Sequence, residues 1–393
     1  MKTPTGMRDF SREETILRES MINTIKEVYE KYGFLPIDTP AMEFLDVLTA
    51  KSGEEVKDQI FIIKGENVGL RFDLTVPLAR YVASKLDLPK PFKRYAIAKV
   101  WRNEEAQKGR YREFIQADAD IIGIKEPTAE VELLYMAQEA LTRLGFEVSK
   151  DNFLINDRRF LFAYAEAMNV KEPFFFRTID KIDKIGKEGV VKLLKERYNN
   201  AEKIIYELSN VKDPLRFIKE YSDKAYETLA FITSKFGGRI DLMLVRGLDY
   251  YTGPIFEVKL SDEIGSVAGG GRYDELLKVY GQGDYAVGIS LGFERLYYLL
   301  SKKAEKKQII DFYVAFIRDN FDYAFKVAQT LRKKGYKVDM NYSKRSLGKQ
   351  LEYASNMGFK KVVIVGDKEK EKNMATIRDM ETGEQKEAKI DSI

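Results

Sequence analysis

Residues 101–116 read WRNEEAQKGRYREFIQ, and this stretch decides the fold of the long N-terminal part of the chain. The flanking segments, Tyr95 to Trp101 and Glu113 to Ile122, have the composition of strands, whereas Arg102 to Arg112 is polar and strongly charged. Two strands joined by such a loop predict an antiparallel pair. Functional residues tend to lie on long loops carried by a rigid scaffold, so we expect this loop to carry function.

The segments around this pair extend it into a domain that we predict to cover residues 1–305. Residues from about 157 to 235 are rich in Lys, Glu and Leu at helical spacing, which predicts a helical insertion. Leu242 to Lys259 returns to a strand-like composition, and Val287 to Leu300 predicts a short strand that runs into an amphipathic helix. The expected fold class is α+β, with an antiparallel sheet interrupted by the helical insertion.

Residues 306–393 form a second predicted domain, which follows a polar and basic linker. Strands and helices of similar length alternate here, which indicates a small α/β domain with a mixed or parallel sheet. The predicted order is strand Phe312 to Phe316, helix Phe321 to Lys334, strand Tyr336 to Met340, helix Ser346 to Met357 and strand Lys361 to Val365.

The composition restricts the chemistry. The 393 residues include no cysteine and no histidine, and 66 basic side chains nearly balance 62 acidic ones. Disulfides and thiolate nucleophiles are therefore excluded, and a zinc site would need carboxylates alone, so we expect no zinc. Carboxylates, Arg, Lys, Tyr and backbone amides remain as working groups. No apolar run has the length of a membrane span or a signal peptide, so we expect a cytoplasmic protein.

Four segments combine glycine with charged residues. They read LRFDLT at 70–75, the stretch 101–116 followed by Asp118 and Asp120, VRGLDYYTG at 245–253, and GGGRYD at 269–274 together with GISLGFER at 288–295. Taken singly, each has an ordinary structural interpretation, such as a solvated ion pair, a turn or a strand. Each segment alone therefore says little about function.

Together the four segments favour a site for phosphates and carboxylates. Arg102, Arg110, Arg246 and Arg295 are flanked by strands or tight turns, where arginine is a poor structural choice. A guanidinium binds phosphate or carboxylate through two hydrogen bonds and does not lose its proton. Because no GxxxxGK[ST] sequence occurs, a nucleotide would be held by a scaffold other than a P-loop.

These segments resemble the class II aminoacyl-tRNA synthetases, and among them the histidyl-tRNA synthetase family. RNE at 102–104 with GRYREF at 109–114 looks like the strand–loop–strand motif of the class, and GFER at 292–295 looks like the motif with the second ATP-binding arginine. RGLDYYTG and GGGRYD resemble the more specific signatures of the histidine family and its paralogue. The resemblance starts at TGMRD, residues 5–9, and reaches the C-terminal domain.

The resemblance implies a reaction and a set of site residues. A histidine carboxylate would attack the α-phosphate of ATP, bound with Mg²⁺, and the histidyl group would then pass to tRNA(His). Arg102 and Arg246 would be catalytic because both would contact the α-phosphate. The ATP-binding residues would be Arg102, Glu104, Arg110 and Arg295. The histidine-binding residues would be Asp73, Thr75, Gln116, Asp120, Arg246, Tyr250 and Tyr251.

The resemblance also implies partners and leaves alternatives. The family is homodimeric, and its C-terminal α/β domain binds the anticodon region, where Lys344, Arg345 and Lys349 are candidates. One alternative is the paralogue that acts as a histidine-sensing regulatory subunit of ATP phosphoribosyltransferase. That paralogue typically lacks the anticodon-binding domain and the catalytic arginines. A second alternative is a class II synthetase for another amino acid, against which RGLDYYTG and GGGRYD argue.

Overall fold

The computed structural model describes residues 1–50, 57–85, 87–105, 111–171, 173–245, 250–261, 263–281, 283–303 and 309–393. Two compact units are distinguished, Met1–Lys303 and Ala304–Ile393. The boundary predicted between residues 305 and 306 falls in a stretch outside the described residues. The predicted site residues Arg110 and Arg246 also lie outside them.

The large unit is built on an eight-stranded sheet, with a small two-stranded sheet beside it. The sheet order is β1-β4-β5-β10-β9-β8-β6-β7, antiparallel through the centre and parallel only at the two edge pairs, while β2 pairs with β3. The predicted antiparallel sheet is therefore confirmed. The strands are β1 (Leu35–Pro36), β2 (Met42–Phe44), β3 (Val68–Leu70), β4 (Phe92–Trp101), β5 (Glu113–Ile122), β6 (Phe153–Asp157), β7 (Arg239–Ile240), β8 (Pro254–Lys259), β9 (Ser266–Arg272) and β10 (Ala286–Gly292).

The helices of this unit pack against the sheet and form the insertion. They are α1 (Arg12–Lys31), α2 (Leu45–Thr49), α3 (Thr75–Ala83), α4 (Thr128–Arg143), α5 (Arg158–Ala167), α6 (Phe174–Ile179), α7 (Ile182–Lys195), α8 (Ala201–Asn210), α9 (Pro214–Tyr221), α10 (Asp223–Lys235), α11 (Asp274–Val279) and α12 (Phe293–Ser301). Helices α5 to α10 lie between β6 and β7, which confirms the helical insertion. None of the described helices is long and apolar enough to cross a membrane.

The sequence of helix α1 accounts for where the helix begins and for how it packs on the central sheet. Ser11 and Glu14 form a reciprocal capping box that begins the helix. Met21, Ile25 and Val28 follow at helical spacing and are buried in the core of the unit. The Tyr29 hydroxyl donates a hydrogen bond of 2.9 Å to the carbonyl of Ala117 in β5, which ties the helix to the central sheet.

One strand prediction is wrong in part. Within the described part of the strand-like stretch from Leu242 to Lys259, which leaves out residues 246–249, only the residues of β8 form a strand. Leu242 and Leu244 are buried, but Asp241 folds the chain into a turn, since its carbonyl accepts from the Leu244 amide at 3.0 Å and its carboxylate accepts from the Met243 amide at 2.9 Å. The apolar run is therefore a buried turn. The strand-like composition predicted a strand because buried turns are also rich in apolar residues.

The small unit has a five-stranded sheet of order β12-β11-β13-β14-β15, with the first three strands parallel and the last two antiparallel. The mixed sheet is one of the two forms predicted. Its elements are β11 (Phe312–Phe316), α13 (Phe321–Lys333), β12 (Val338–Met340), α14 (Leu347–Asn356), β13 (Lys361–Val365), α15 (Asp367–Lys372), β14 (Met374–Asp379) and β15 (Gln385–Lys389). Helix α15 and the last two strands had no counterpart in the predicted order.

Candidate active site

The floor of the candidate site is the central part of the large sheet. Gln116, Asp118 and Asp120 alternate along β5, so their side chains lie on one face. The register places Ala98, Ala96 and Arg94 of β4 opposite them on one side, and Gly292, Ser290 and Gly288 of β10 on the other. Three polar side chains therefore stand in a row, flanked mostly by small residues that leave space above the sheet.

Glycine is required beside Asp120. A Cβ atom on Gly288 would lie 2.0 Å from the Asp120 Oδ1 atom, and one on Gly271 would lie 2.8 Å from the ring of Tyr251. Both distances are too short for a real contact. The glycines of GGGRYD and GISLGFER thus make room for an acid and a phenol, rather than forming turns.

Asp120 lies at the centre of a buried polar cluster. Its Oδ1 atom accepts a hydrogen bond of 2.5 Å from the Tyr273 hydroxyl, and its Oδ2 atom lies 2.8 Å from the Arg94 guanidinium. Both members of the ion pair are only 2% exposed. Burial raises the pKa of Asp120, while Arg94 and the Tyr273 hydrogen bond act in the opposite direction.

Asp73 and Thr75 stand at the start of α3. The Asp73 Oδ1 atom accepts from the Val76 amide at 3.0 Å, whereas Oδ2 is buried without a hydrogen-bond partner among the described residues. Burial raises the pKa of Asp73 to about 6. Thr75 shares a hydrogen bond with Tyr250. A buried carboxylate oxygen with no partner is suited to receive a cationic group from a ligand.

Gln116 and Asp118 form a second polar group on the floor. The Gln116 amide nitrogen donates to the Ser290 hydroxyl at 3.2 Å and to Asp118 Oδ1 at 3.4 Å. Ser290 also hydrogen-bonds Asp118. Burial, opposed in part by Arg94, raises the pKa of Asp118 to about 7. The amide is thus oriented with its oxygen toward Arg102, 3.5 Å from that guanidinium.

The described arginines of the site are anchored by main-chain carbonyls. Arg102 Nε donates to the Phe72 carbonyl at 2.9 Å, and its guanidinium lies 5.1 Å from the centre of the Phe114 ring. Arg295, on α12, donates to the carbonyl of Ser266. These hydrogen bonds to main-chain carbonyls limit how far each guanidinium can move within the site.

All nine predicted site residues that the structure describes line one cavity of about 1830 Å³. Tyr250 and Tyr251 lie in the segment before β8, and neither is in a strand. Their ring centres are 4.8 Å apart, and the Tyr250 ring lies 5.9 Å from that of Tyr273. The nine residues are Asp73, Thr75, Arg102, Glu104, Gln116, Asp120, Tyr250, Tyr251 and Arg295.

The donor set for a metal ion is sparse. Within the described ranges, no group of three or more Asp and Glu residues is arranged to hold a metal ion. Mg²⁺ is commonly bound through one or two carboxylates together with substrate phosphates, so a site for it need not contain three protein carboxylates.

Known proteins match nearly the whole length of this chain. A family model described as histidyl-tRNA synthetase matches residues 6–296, and one described as anticodon binding domain matches residues 308–393. The chain belongs to the histidyl-tRNA synthetase family. A curated histidine–tRNA ligase of Aeropyrum pernix is 40% identical over 98% of this chain and 94% of its own length, and one of Korarchaeum cryptofilum is 38% identical over 95% and 93%.

Solved structures of the histidyl-tRNA synthetase family share the whole architecture. The crystal structure of histidyl-tRNA synthetase from Nostoc sp. PCC 7120 has a TM-score of 0.83 and 30% sequence identity to this chain, and it covers 100% of this chain and 97% of its own. Both units of the present chain therefore have counterparts in a family structure.

The sequence did not assign a role to several residues of the site that are buried or partly buried. Arg94, Asp118 and Ser290 lie on the same sheet face as the predicted residues, and Tyr273 follows β9. The two-residue alternation from Gln116 to Asp120 was a signal for Asp118. For Arg94 there was no local signal, because its importance depends on the register between β4 and β5.

Proposed function

We propose that this chain is a histidine–tRNA ligase, which activates histidine with ATP and transfers it to tRNA(His). The observation that carries the proposal is the cavity, where the described residues assigned to ATP and to histidine line one space. Family membership supplies the reaction class. The match of an anticodon-binding domain to residues 308–393 favours this function over that of a regulatory subunit.

The first step needs charge neutralisation rather than a general base. The histidine carboxylate is already an anion when it attacks the α-phosphate, so a bond from carboxylate oxygen to phosphorus forms as the bond to pyrophosphate breaks. Arg102 and Arg246 would hold the α-phosphate and carboxylate, and Glu104, Arg110 and Arg295 would hold the rest of ATP, which enters with Mg²⁺. Catalysis by positioning and electrostatic stabilisation suits a chain without histidine.

The pocket suits both ends of histidine. Asp73, Thr75 and Gln116 would receive the α-ammonium, for which Asp73 keeps a buried oxygen available. Asp120 and Tyr251 would contact the two imidazole nitrogens, with Tyr250 beside them. One partner for each ring nitrogen excludes apolar analogues, because the buried groups would lose their hydrogen bonds. No zinc ion is needed for this recognition.

In the second step the 3′-hydroxyl of tRNA attacks the adenylate carbonyl, the ester forms and AMP leaves. We propose that a phosphate oxygen of the adenylate accepts the hydroxyl proton, since the chain has no histidine to do so. The pH dependence of single-turnover transfer should then show no essential protein base near neutrality. A titration of such a base would contradict this step.

The small unit would hold the anticodon region of tRNA. Lys344 and Arg345 follow β12, at the carboxyl end of the parallel strands, where α/β domains commonly bind ligands. The Lys344 side chain is 83% exposed and pairs with the Asp319 carboxylate, which is 86% exposed, at 3.1 Å. Replacing Lys344, Arg345 and Lys349 with Ala should weaken tRNA binding and its salt dependence, and should leave histidine activation unchanged.

We also propose a homodimer that acts in the cytoplasm. On β2, Met42 and Phe44 are 52% and 59% exposed on one face, while Glu43 between them is buried and paired with Arg80. An exposed apolar strand face is suited to contact with a second copy. Sedimentation should show a dimer that the double substitution M42S/F44S weakens; a monomeric parent protein would contradict the proposal.

ATP–pyrophosphate exchange with each of the twenty amino acids tests the function. Exchange with histidine alone, lost in an Arg246→Ala variant and kept in the exposed-site control Arg12→Ala, is the expected result. Folded protein that binds histidine without exchange would support the regulatory alternative. Exchange with another amino acid would contradict the pocket assignment.

A further inference from the structure

Arg94 is buried beneath the cavity and does not line it. Only 2% of the residue is exposed, and its guanidinium faces Asp120, whose carboxylate does line the cavity. It also donates to the carbonyl of Leu74 at 3.0 Å, between Asp73 and Thr75. One side chain thus contacts both the acid assigned to the imidazole and the segment assigned to the α-ammonium.

The Arg94–Asp120 pair is incompletely hydrogen-bonded. Although Arg94 and Asp120 Oδ2 lie 2.8 Å apart, Oδ2 has no partner with hydrogen-bond geometry among the described residues, and neither has Arg94 Nε. Tyr273 uses one acceptor position on Oδ1. A carboxylate has about four acceptor positions, so Asp120 can accept from a ligand while Arg94 and Tyr273 hold it in place.

Arg94 is also the cation that three buried carboxyl groups share. Its charge favours the ionised forms of Asp73, Asp118 and Asp120 and so opposes the burial that raises the pKa of all three. Among the described residues, the charged and titratable groups that interact with Arg94 or with this cluster are Tyr29, Arg71, Asp73, Arg102, Asp118, Asp120, Tyr250, Tyr251, Tyr273 and Tyr280.

We propose that Arg94 is a positioning residue for amino-acid specificity, whose guanidinium beneath the cavity holds Asp120 oriented to accept a hydrogen bond from the imidazole of the substrate. The proposal rests on the proposed function, because it takes histidine as the ligand. Without Arg94, Asp120 would lose the buried cation that favours its ionised form, and Tyr273 would still hold one of its two oxygens. A neutral carboxyl replaces one acceptor position with a donor and lacks the charge that attracts an imidazole N–H.

The test compares Arg94→Met and Arg94→Lys with a matched control, Arg272→Met. Arg272 is similarly buried, at 7% exposure, and pairs with Glu130, but neither residue lines the cavity. Histidine binding by calorimetry and the KM values for histidine and ATP in exchange are measured on full-length protein. Circular dichroism reports whether each variant is folded.

Arg94→Met should raise the Kd and KM for histidine about 10- to 100-fold and change the KM for ATP by less than about threefold. The variant should regain part of its histidine affinity as the pH is raised, because Asp120 then ionises. Arg94→Lys should recover part of the loss, since it restores the charge without the fork of donors. Arg272→Met should lower stability and leave the KM for histidine unchanged.

Equal changes in the KM for histidine and ATP, or an unchanged histidine affinity in folded Arg94→Met, would overturn the proposal. If Arg94→Met does not fold, a folded Arg94→Lys with the parent histidine affinity and pH profile would overturn it. Measurements on the parent protein distinguish a failure of the Arg94 proposal from a failure of the proposed ligase function. Histidine binding without exchange refutes the ligase function and still tests Arg94 by calorimetry, whereas absence of histidine binding to the parent overturns both.

Discussion

Two of the buried arginine–carboxylate pairs in the described part of the large unit differ in a useful way, since one lies beneath the cavity and the other away from it. Arg272 donates from two nitrogens to the two oxygens of Glu130, at 2.7 and 2.8 Å, and also to the Ile124 carbonyl at 2.9 Å. Arg94 and Asp120 are equally buried, yet they leave a nitrogen and an oxygen without hydrogen-bond partners among the described residues. Burial alone therefore does not identify a functional pair. A carboxylate that lines a cavity and has an oxygen without a hydrogen-bond partner is the feature that indicates function.

The satisfied pair should behave as a structural element. Glu130→Ala would remove the closer carboxylate partner of buried Arg272 and leave Asp274 at 3.5 Å, so we expect the free energy of unfolding to fall by up to about 3 to 5 kcal/mol. Urea denaturation measures this loss, with the exposed-site variant Arg12→Ala as the control. A loss of histidine affinity in folded Glu130→Ala would remove the distinction between the two pairs.

The buried carboxyl of Asp118 in the floor of the cavity should lower the free energy of unfolding by an amount that depends on pH. The Asp118 carboxyl has a pKa of about 7 in the folded chain against an ordinary value of 3.8. Between these values the folded state holds a proton that the unfolded state releases, so stability falls as the pH rises through this window. Asp118→Asn lacks this titration and should gain about 2 to 4 kcal/mol over the parent protein between pH 4 and pH 8.

Unfolding in urea at several pH values measures that difference, and the exposed-site substitution Asp9→Asn is the control. A stability difference between Asp118→Asn and the parent protein that does not vary with pH would contradict the assigned titration.

The space beside Asp120 should be sensitive to a single methyl group. Gly288→Ala places a Cβ atom 2.0 Å from Asp120 Oδ1, so the carboxylate must move and the KM for histidine should rise about tenfold or more. Gly348→Ala is the control, because no atom lies within 4 Å of the Cβ built there. Unchanged histidine kinetics in Gly288→Ala would show that the position of Asp120 is not critical.

Regions whose structure depends on local sequence patterns could be predicted, and regions that depend on contacts between distant residues could not. Strands β4 and β5, the insertion and most of the small unit could be predicted because periodicity and composition are local properties. Strand β15, with the sequence QKEAK, could not be, since its residues are mainly exposed and show no apolar alternation. The turn at Asp241 was missed because buried turns and strands share an apolar composition.

The candidate site shows the same division. The arginines and the glycine segments were visible in the sequence because they are unusual where they occur. The role of Arg94 was hidden, since it lies 26 positions before Asp120 and meets it only through the register of two antiparallel strands.

Histidine-dependent ATP–pyrophosphate exchange in Asp120→Asn, compared with Glu130→Gln, tests the account most directly. Both substitutions neutralise a buried acid that is paired with arginine. We expect the KM for histidine to rise at least about 100-fold in Asp120→Asn alone, while the KM for ATP stays near the parent value. Equal histidine kinetics in the two folded variants would contradict the claim that Asp120, and not buried charge in general, recognises the substrate.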